Sequence, residues 1–313
     1  MSFTTEVKSE IAGNELKPCC SRAQLAALLQ LNATLTIVNK NFQLQLKTEN
    51  PTTAKRMWLL IKERYKVVPE LSMIRKMQLK KNTVYIIKIM HQVKEILEDV
   101  GLWDETGLSD RPARSIVVKD CCNRAYLAGA FLATGSVNAP IRSNYHLEIA
   151  CNNEKHAVFV QKCMNRYQLP AKVIKRRHQD IVYIKASDKI SDFMRATGAF
   201  QSVMKFEDVR IQRDFKNSLT RLDNCEVANE MKTISAATKQ LADIELLQKV
   251  GRFEYLEPRL KEVALLRIQF PEASFNELSK EYESMTGTVM SKSGMKHRFN
   301  RLHDIAAKIH FNR

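Results

Sequence analysis

The chain has 313 residues, 44% of them hydrophobic, and its 50 Lys and Arg against 34 Asp and Glu give a formal net charge of +16. That length supplies two or three domains with ample core material, and the basic excess points to an anionic partner, nucleic acid before an anionic membrane surface. The opening residues lack the apolar core of a secretory signal and no uncharged apolar run reaches the ~18 residues of a membrane span, so a cytoplasmic, nucleoid-associated protein is expected.

Residues 3–12 read as a short helix capped by Thr4 or Thr5. A stretch beginning Cys19-Cys20-Ser21-Arg22-Ala23-Gln24-Leu25-Ala26 follows, giving a helix from Ser21 to Leu35. Phe42-Gln43-Leu44-Gln45-Leu46-Lys47 alternates strictly and reads as a half-buried strand. Met57, Leu60, Ile61 and Tyr65 recur at helical spacing over Thr53 to Tyr65. Strands at Leu71 to Leu79 and Thr83 to Met90 and a helix from Gln92 to Val100 complete the series.

A second copy of this series starts at Cys121-Cys122-Asn123-Arg124-Ala125-Tyr126-Leu127-Ala128. The two stretches align without a gap on the paired cysteines, the arginine, the alanine and the Leu-Ala step, so one unit has been used twice. The second copy predicts a strand at Tyr145 to Ala150, a helix from Lys155 to Tyr167, strands at Ala171 to Arg177 and Ile181 to Ala186, and a helix from Asp188 to Thr197. Arg64-Tyr65 and Arg166-Tyr167 end equivalent helices, and Asp104 to Ser115 links the copies. The fold class is α+β, with a pseudo-twofold repeat domain over 1–204 (copies at about 19–103 and 116–204).

Beyond residue 205 strand signals stop. Val227, Met231, Ile234, Leu241, Ile244 and Leu247 mark a long amphipathic helix ending before Gly251, inside a helical linker over 205–256. Residues 257–313 form the last domain. Pro258 opens one helix, and Ser274-Phe275-Asn276-Glu277 fits a capping box at the start of another. The final helix runs from about Ser291 to His310, with Met295, Phe299, Leu302, Ala306 and Ile309 on one narrow arc.

Between residues 291 and 313 there are six Lys or Arg and one acid, Asp304. A helix-turn-helix spanning about Phe275 to Ile309 fits this pattern, with the last helix entering the major groove of double-stranded DNA. The DNA-binding residues are then Ser291, Lys292, Ser293, Lys296, His297, Arg298, Asn300 and Arg301. Lys296, His297, Asn300 and Arg301 are placed as base readers, while Ser291, Ser293 and the helix N-terminus face phosphate. Gly294 allows close backbone approach. A merely solvated charged face is the plain alternative; basic bias and helical order together favour binding. The connection before this helix is longer than the usual three or four residues.

The seven cysteines are Cys19, Cys20, Cys121, Cys122, Cys151, Cys163 and Cys225, with no Cys-x-x-Cys among them. Neither a zinc site nor a thioredoxin-type motif has its spacing, so buried reduced thiols are expected, with no metal and no cofactor, and a regulatory disulfide between the pairs is the lesser alternative.

Tyr126-Leu127-Ala128-Gly129-Ala130-Phe131-Leu132-Ala133-Thr134-Gly135 resembles the signature of LAGLIDADG homing endonucleases. The resemblance implies two helices packed along a pseudo-twofold axis, with small residues at Ala26, Ala27, Ala128 and Gly129 letting their backbones approach. It also implies a metal-binding acid near the end of each signature, where this chain has Asn32 and Thr134. Neither supplies the negative charge that holds Mg²⁺, so no catalytic residue is expected and the nuclease activity is read as lost.

The whole chain resembles the WhiA family of bacterial regulators, on Asn224-Cys225-Glu226-Val227-Ala228-Asn229, Arg259-Leu260-Lys261-Glu262-Val263-Ala264 and Ser291-Lys292-Ser293-Gly294-Met295-Lys296-His297-Arg298. That resemblance implies a non-enzymatic, sequence-specific DNA-binding regulator connected with cell division, chromosome segregation and sporulation. Two alternatives stand beside it. One is an endonuclease with a displaced metal site, for which Asp120 is the lone candidate acid, matched by Pro18 in the first copy. In the other, the first domain serves a protein partner or senses a ligand.

Overall fold

The computed structural model describes residues 2–75, 83–142, 144–177 and 179–311. It divides into two compact units, residues 1–214 and 215–313.

The first unit opens with α1 (Phe3–Gly13), whose N-cap is Ser2 rather than a threonine: the Ser2 side chain accepts from the Thr5 amide. The first copy then runs α2 (Pro18–Asn32), β1 (Ala33–Val38), β2 (Asn41–Thr48), α3 (Pro51–Tyr65), β3 (Glu70–Arg75), β4 (Thr83–Ile89) and α4 (Val93–Asp99). A short hairpin, β5 (Trp103–Asp104) with β6 (Gly107–Leu108), and a 3₁₀ turn (Arg114–Val117) form the link. The second copy runs α5 (Asp120–Thr134), β7 (Gly135–Val137), β8 (Leu147–Cys151), α6 (Glu154–Asn165), β9 (Lys172–Arg176), β10 (Gln179–Ile184) and α7 (Ser187–Thr197).

The sheets carry the same topology: β1-β2-β4-β3 in one copy and β7-β8-β10-β9 in the other, antiparallel throughout. Alternation decides which side faces the core. Leu44 and Leu46 of β2, and Leu147, Ile149 and Cys151 of β8, are buried. The first repeat helix stops at Asn32, three residues before the sequence-based limit of Leu35. Residues 33–38 instead pair with β2 from Ala33↔Leu46 to Val38↔Asn41. The expected strand 71–79 is observed as β3 up to Arg75; 76–79 lie outside the described residues.

The axis of this unit is the α2–α5 pair, whose facing residues are small or apolar: Ala23, Ala26, Ala27, Ala128 and Ala130 are all buried. At Gly129 the two backbones come close enough to exclude a side chain. A Cβ built there would lie 2.4 Å from the Gln24 carbonyl oxygen and 3.0 Å from the Ala27 Cβ. The Arg-Tyr pairs seen in both copies tie the ends of the surrounding helices to this axis. Arg64 grips Asp99 with two bonds (Nε to Oδ2 2.7 Å, Nη2 to Oδ1 3.0 Å) and donates to the Pro18 carbonyl at 3.2 Å. In the second copy Arg166 donates to the Val117 carbonyl (2.6 Å) and Tyr167 to that of Asp120 (3.1 Å).

Helix α8 (Phe200–Lys249) starts well before the stretch at Val227 that marked it in the sequence. Of the residues expected on its apolar side, Ile244 and Leu247 are buried, whereas Val227, Met231 and Ile234 are exposed. The second unit continues with α9 (Pro258–Gln269), α10 (Phe275–Thr286) and α11 (Lys292–Phe311). Its core joins Ile244 and Leu247 to Leu260, Val263, Ala264, Leu278, Tyr282 and the buried arc of α11.

Candidate nucleic-acid interface

The basic helix α11 is locked by its apolar arc. Met295, Phe299, Leu302, Ala306 and Ile309 are no more than 9% exposed, so the opposite face is held outward. The Phe275 ring stacks on Phe299 with centroids 5.7 Å apart, fixing the start of α10 against α11. Tyr282 donates to Glu262 Oε2 at 2.7 Å and ties α10 to α9. The capping box is present in full: the Ser274 hydroxyl accepts from the Glu277 amide and the Glu277 carboxylate accepts from the Ser274 amide. Gly287, in the left-handed region at φ 67°, ends α10, and residues 287–291 form the long connection anticipated from the sequence.

Ser291, Lys292, Ser293, Lys296, His297, Asn300 and Arg301 are exposed. At 3.6 residues per turn, Lys292, Ser293, Lys296, His297, Asn300 and Arg301 fall within roughly half of the helix circumference, clear of the buried arc. Three of the eight candidates are engaged. Arg298 is half-buried with its guanidinium 5.8 Å from the Tyr282 ring centre, and Arg301 Nη2 donates to Glu257 Oε1 at 2.9 Å. The Ser291 hydroxyl accepts from the Gly294 amide at 3.2 Å, acting on its own helix start.

Lys292 and Lys296 also line a cleft of about 410 Å³ with Lys232, Arg267, Ser274 and Asn276, residues that sequence reasoning did not select. Arg267 is only 1% exposed yet has no carboxylate among the partners described for it: its Nε donates to Gln240 Oε1 (3.0 Å) and its Nη1 to the Ala273 carbonyl (2.6 Å). Burial pushes its pKa down to about 10, which leaves it charged at neutral pH. The cleft is therefore cationic, and the α10 N-terminus at its rim adds the positive end of a helix dipole.

The positions that would hold a nuclease metal are differently equipped. Asn32 points its Nδ2 at Met57 Sδ, 3.9 Å away, and the Thr134 hydroxyl donates to the Ala150 carbonyl at 2.7 Å. Two neutral side chains so placed do not fit a hard divalent cation. Asp120 is paired with Arg124 at 2.9 Å. Among the described residues, the side chains grouped closely enough to share an ion are Cys19, Cys20, Cys121 and Cys122.

Three family models match in succession: the WhiA N-terminal LAGLIDADG-like domain over residues 18–103, the WhiA LAGLIDADG-like domain over 123–216, and the WhiA C-terminal HTH domain over 219–306. Over 309 residues the chain is 43% identical to a relative from Staphylococcus aureus (strain USA300), covering 99% of this chain and 98% of that one. The chain belongs to the WhiA family.

A second WhiA relative, from Oceanobacillus iheyensis, is 42% identical over 310 residues, covering 99% of this chain and 98% of its own. Both relatives bear the name "Probable cell division protein WhiA". The crystal structure of full-length DUF199/WhiA from Thermatoga maritima shares the fold, with a TM-score of 0.57 at 22% identity over 98% of this chain and 99% of that chain. The α+β architecture, LAGLIDADG-like repeats followed by a helical helix-turn-helix region, is thus that of the WhiA family. No helix among the described residues is long and apolar enough to cross a membrane.

Proposed function

We propose that this WhiA protein is a sequence-specific double-stranded-DNA-binding regulator serving cell division and chromosome segregation, and that its nuclease chemistry has been lost. The observation that carries the reading is α11: its apolar arc is sunk in the core, while Lys292, Lys296, His297, Asn300 and Arg301 stand exposed. Such a face has cations for phosphate and amide and guanidinium groups for base edges. The cationic cleft beside Lys292 and Lys296 offers a seat for the DNA backbone. The link to division rests on the names of the two relatives, and nuclease loss rests on the neutral side chains of Asn32 and Thr134.

Chromosomal fragments that co-purify with the full-length protein should share a site. Fluorescence anisotropy should then give ~10³-fold or tighter preference for it over scrambled DNA at physiological salt. Equal affinity for both would remove sequence specificity. Supercoiled plasmid incubated with the protein and Mg²⁺ should stay intact; cleavage abolished by Asp120→Asn would restore the nuclease reading.

A further inference from the structure

Four thiols meet where the first turns of α2 and α5 come together. Cys19 and Cys20 belong to the first, Cys121 and Cys122 to the second. All four Sγ atoms lie within 4.8 Å of one another, with 3.9 Å between Cys19 and Cys20 and 4.0 Å between Cys121 and Cys122. The repeat explains the meeting. Equivalent positions of two equivalent helices face each other across the pseudo-twofold axis, so a pair near that axis in each copy becomes a group of four.

We infer that these four cysteines bind one zinc ion in a closed tetrahedral site. A Zn–S distance of about 2.3 Å puts tetrahedral thiolates about 3.8 Å apart, and the separations within the two pairs are already close to that. Sulfurs so close enclose one ion and leave no room for a multi-iron cluster, and an all-thiolate set selects a soft or borderline metal over Mg²⁺ or Ca²⁺. With no oxygen or nitrogen ligand and no open position, the ion is structural rather than catalytic.

The surroundings suit the charge. Zinc with four thiolates is a dianion, and it would sit at two helix N-termini, where the backbone dipoles favour negative charge. Neither helix has a side-chain cap, and the N-cap residues are Lys17 and Lys119. The two turns are held from behind by the Arg64 bond to the Pro18 carbonyl and the Tyr167 bond to that of Asp120. Cys20 and Cys122 are buried while Cys19 and Cys121 are half-buried, which leaves a way in for the metal. On binding, the thiol protons pass to solvent as the thiolates take the ion.

Full-length protein purified under reductant, loaded with zinc and desalted, should retain one zinc per chain. Cobalt in its place should show the visible spectrum of a tetrahedral tetrathiolate centre. Cys20→Ser and Cys122→Ser should each weaken zinc retention at least about tenfold, whereas Cys225→Ser, whose thiol is exposed on α8, should keep full occupancy. Because a ligand variant could fail to fold, the wild type carries the decisive arm: a mercurial thiol reagent should release the zinc stoichiometrically. The assignment is overturned by zinc-free chains after loading with all seven thiols titratable. It is equally overturned by a disulfide joining the two pairs in anaerobically purified protein, by iron with acid-labile sulfide, or by zinc retained in the Cys20→Ser/Cys122→Ser double variant.

Discussion

Arg301 is paired with Glu257 across the α9–α11 contact, Nη2 to Oε1 at 2.9 Å, so this cation already has a carboxylate before any DNA arrives. If Arg301 reads a base, it must leave Glu257 to do so. Arg301→Ala should cost ~1–3 kcal/mol on the specific site and little on scrambled DNA. Glu257→Gln, which removes the competing charge, should tighten binding. Anisotropy titrations on both DNAs distinguish the roles: equal losses for Arg301→Ala would make it a phosphate contact.

Lys292 and Lys296 face the cationic cleft rather than the outer arc alone. Alanine at either should weaken all DNA alike and lower the slope of log K against log salt by ~1. An unchanged slope with lost specificity would assign them to bases.

His156, on α6, is buried with Nε2 2.7 Å from the Tyr126 hydroxyl, and burial pushes its pKa down from 6.5 to about 4. Between those pH values the unfolded chain takes up a proton that the folded chain refuses. The contribution of the neutral imidazole is therefore full above pH 6.5 and is lost as pH falls toward 4, on the order of 3 kcal/mol in total. Urea unfolding at stepped pH should show a steeper loss over that window in the wild type than in His156→Gln. Parallel curves would sink this account.

Two glycines should respond oppositely to alanine. Gly129→Ala drives a methyl into the Gln24 carbonyl, a backbone atom that cannot swing aside. The overpacking cost of ~1–3 kcal/mol exceeds the ~1 kcal/mol gained in helix propensity, so the unfolding midpoint should fall. At Gly294 the nearest atoms stand at 3.5 Å, ordinary contact, so Gly294→Ala should hold or raise stability. Any loss of DNA affinity there would report close backbone approach.

How much of this was legible in the sequence depended on distance along the chain. The buried arc of α11 and the Ser274–Glu277 box follow from spacing within a few residues, and both stand as read. The start of β1 reads as helix in the sequence because Ala33 and Leu35 continue the apolar character of α2. The density of β-branched residues at Thr34, Thr36, Ile37 and Val38 is the available signal. The four-thiol group has no ligand spacing in the sequence, because each half supplies only adjacent cysteines. The complete set exists only once two helices far apart in sequence are packed, and the repeat is the one sequence signal that relates them. Arg267 was missed for a related reason: nothing local marks an arginine whose charge is met by the backbone of a turn and a glutamine.

The apposition of Ala27 with Gly129 has a consequence for how the molecule can change. In a dimer of identical chains, a residue near the twofold axis meets its own copy, so alanine would face alanine or glycine would face glycine. Joining the copies in one polypeptide releases that constraint, and here a methyl on one helix nests where the other has none. Each half can then drift by single substitutions that a symmetric ancestor would have had to accept twice at once.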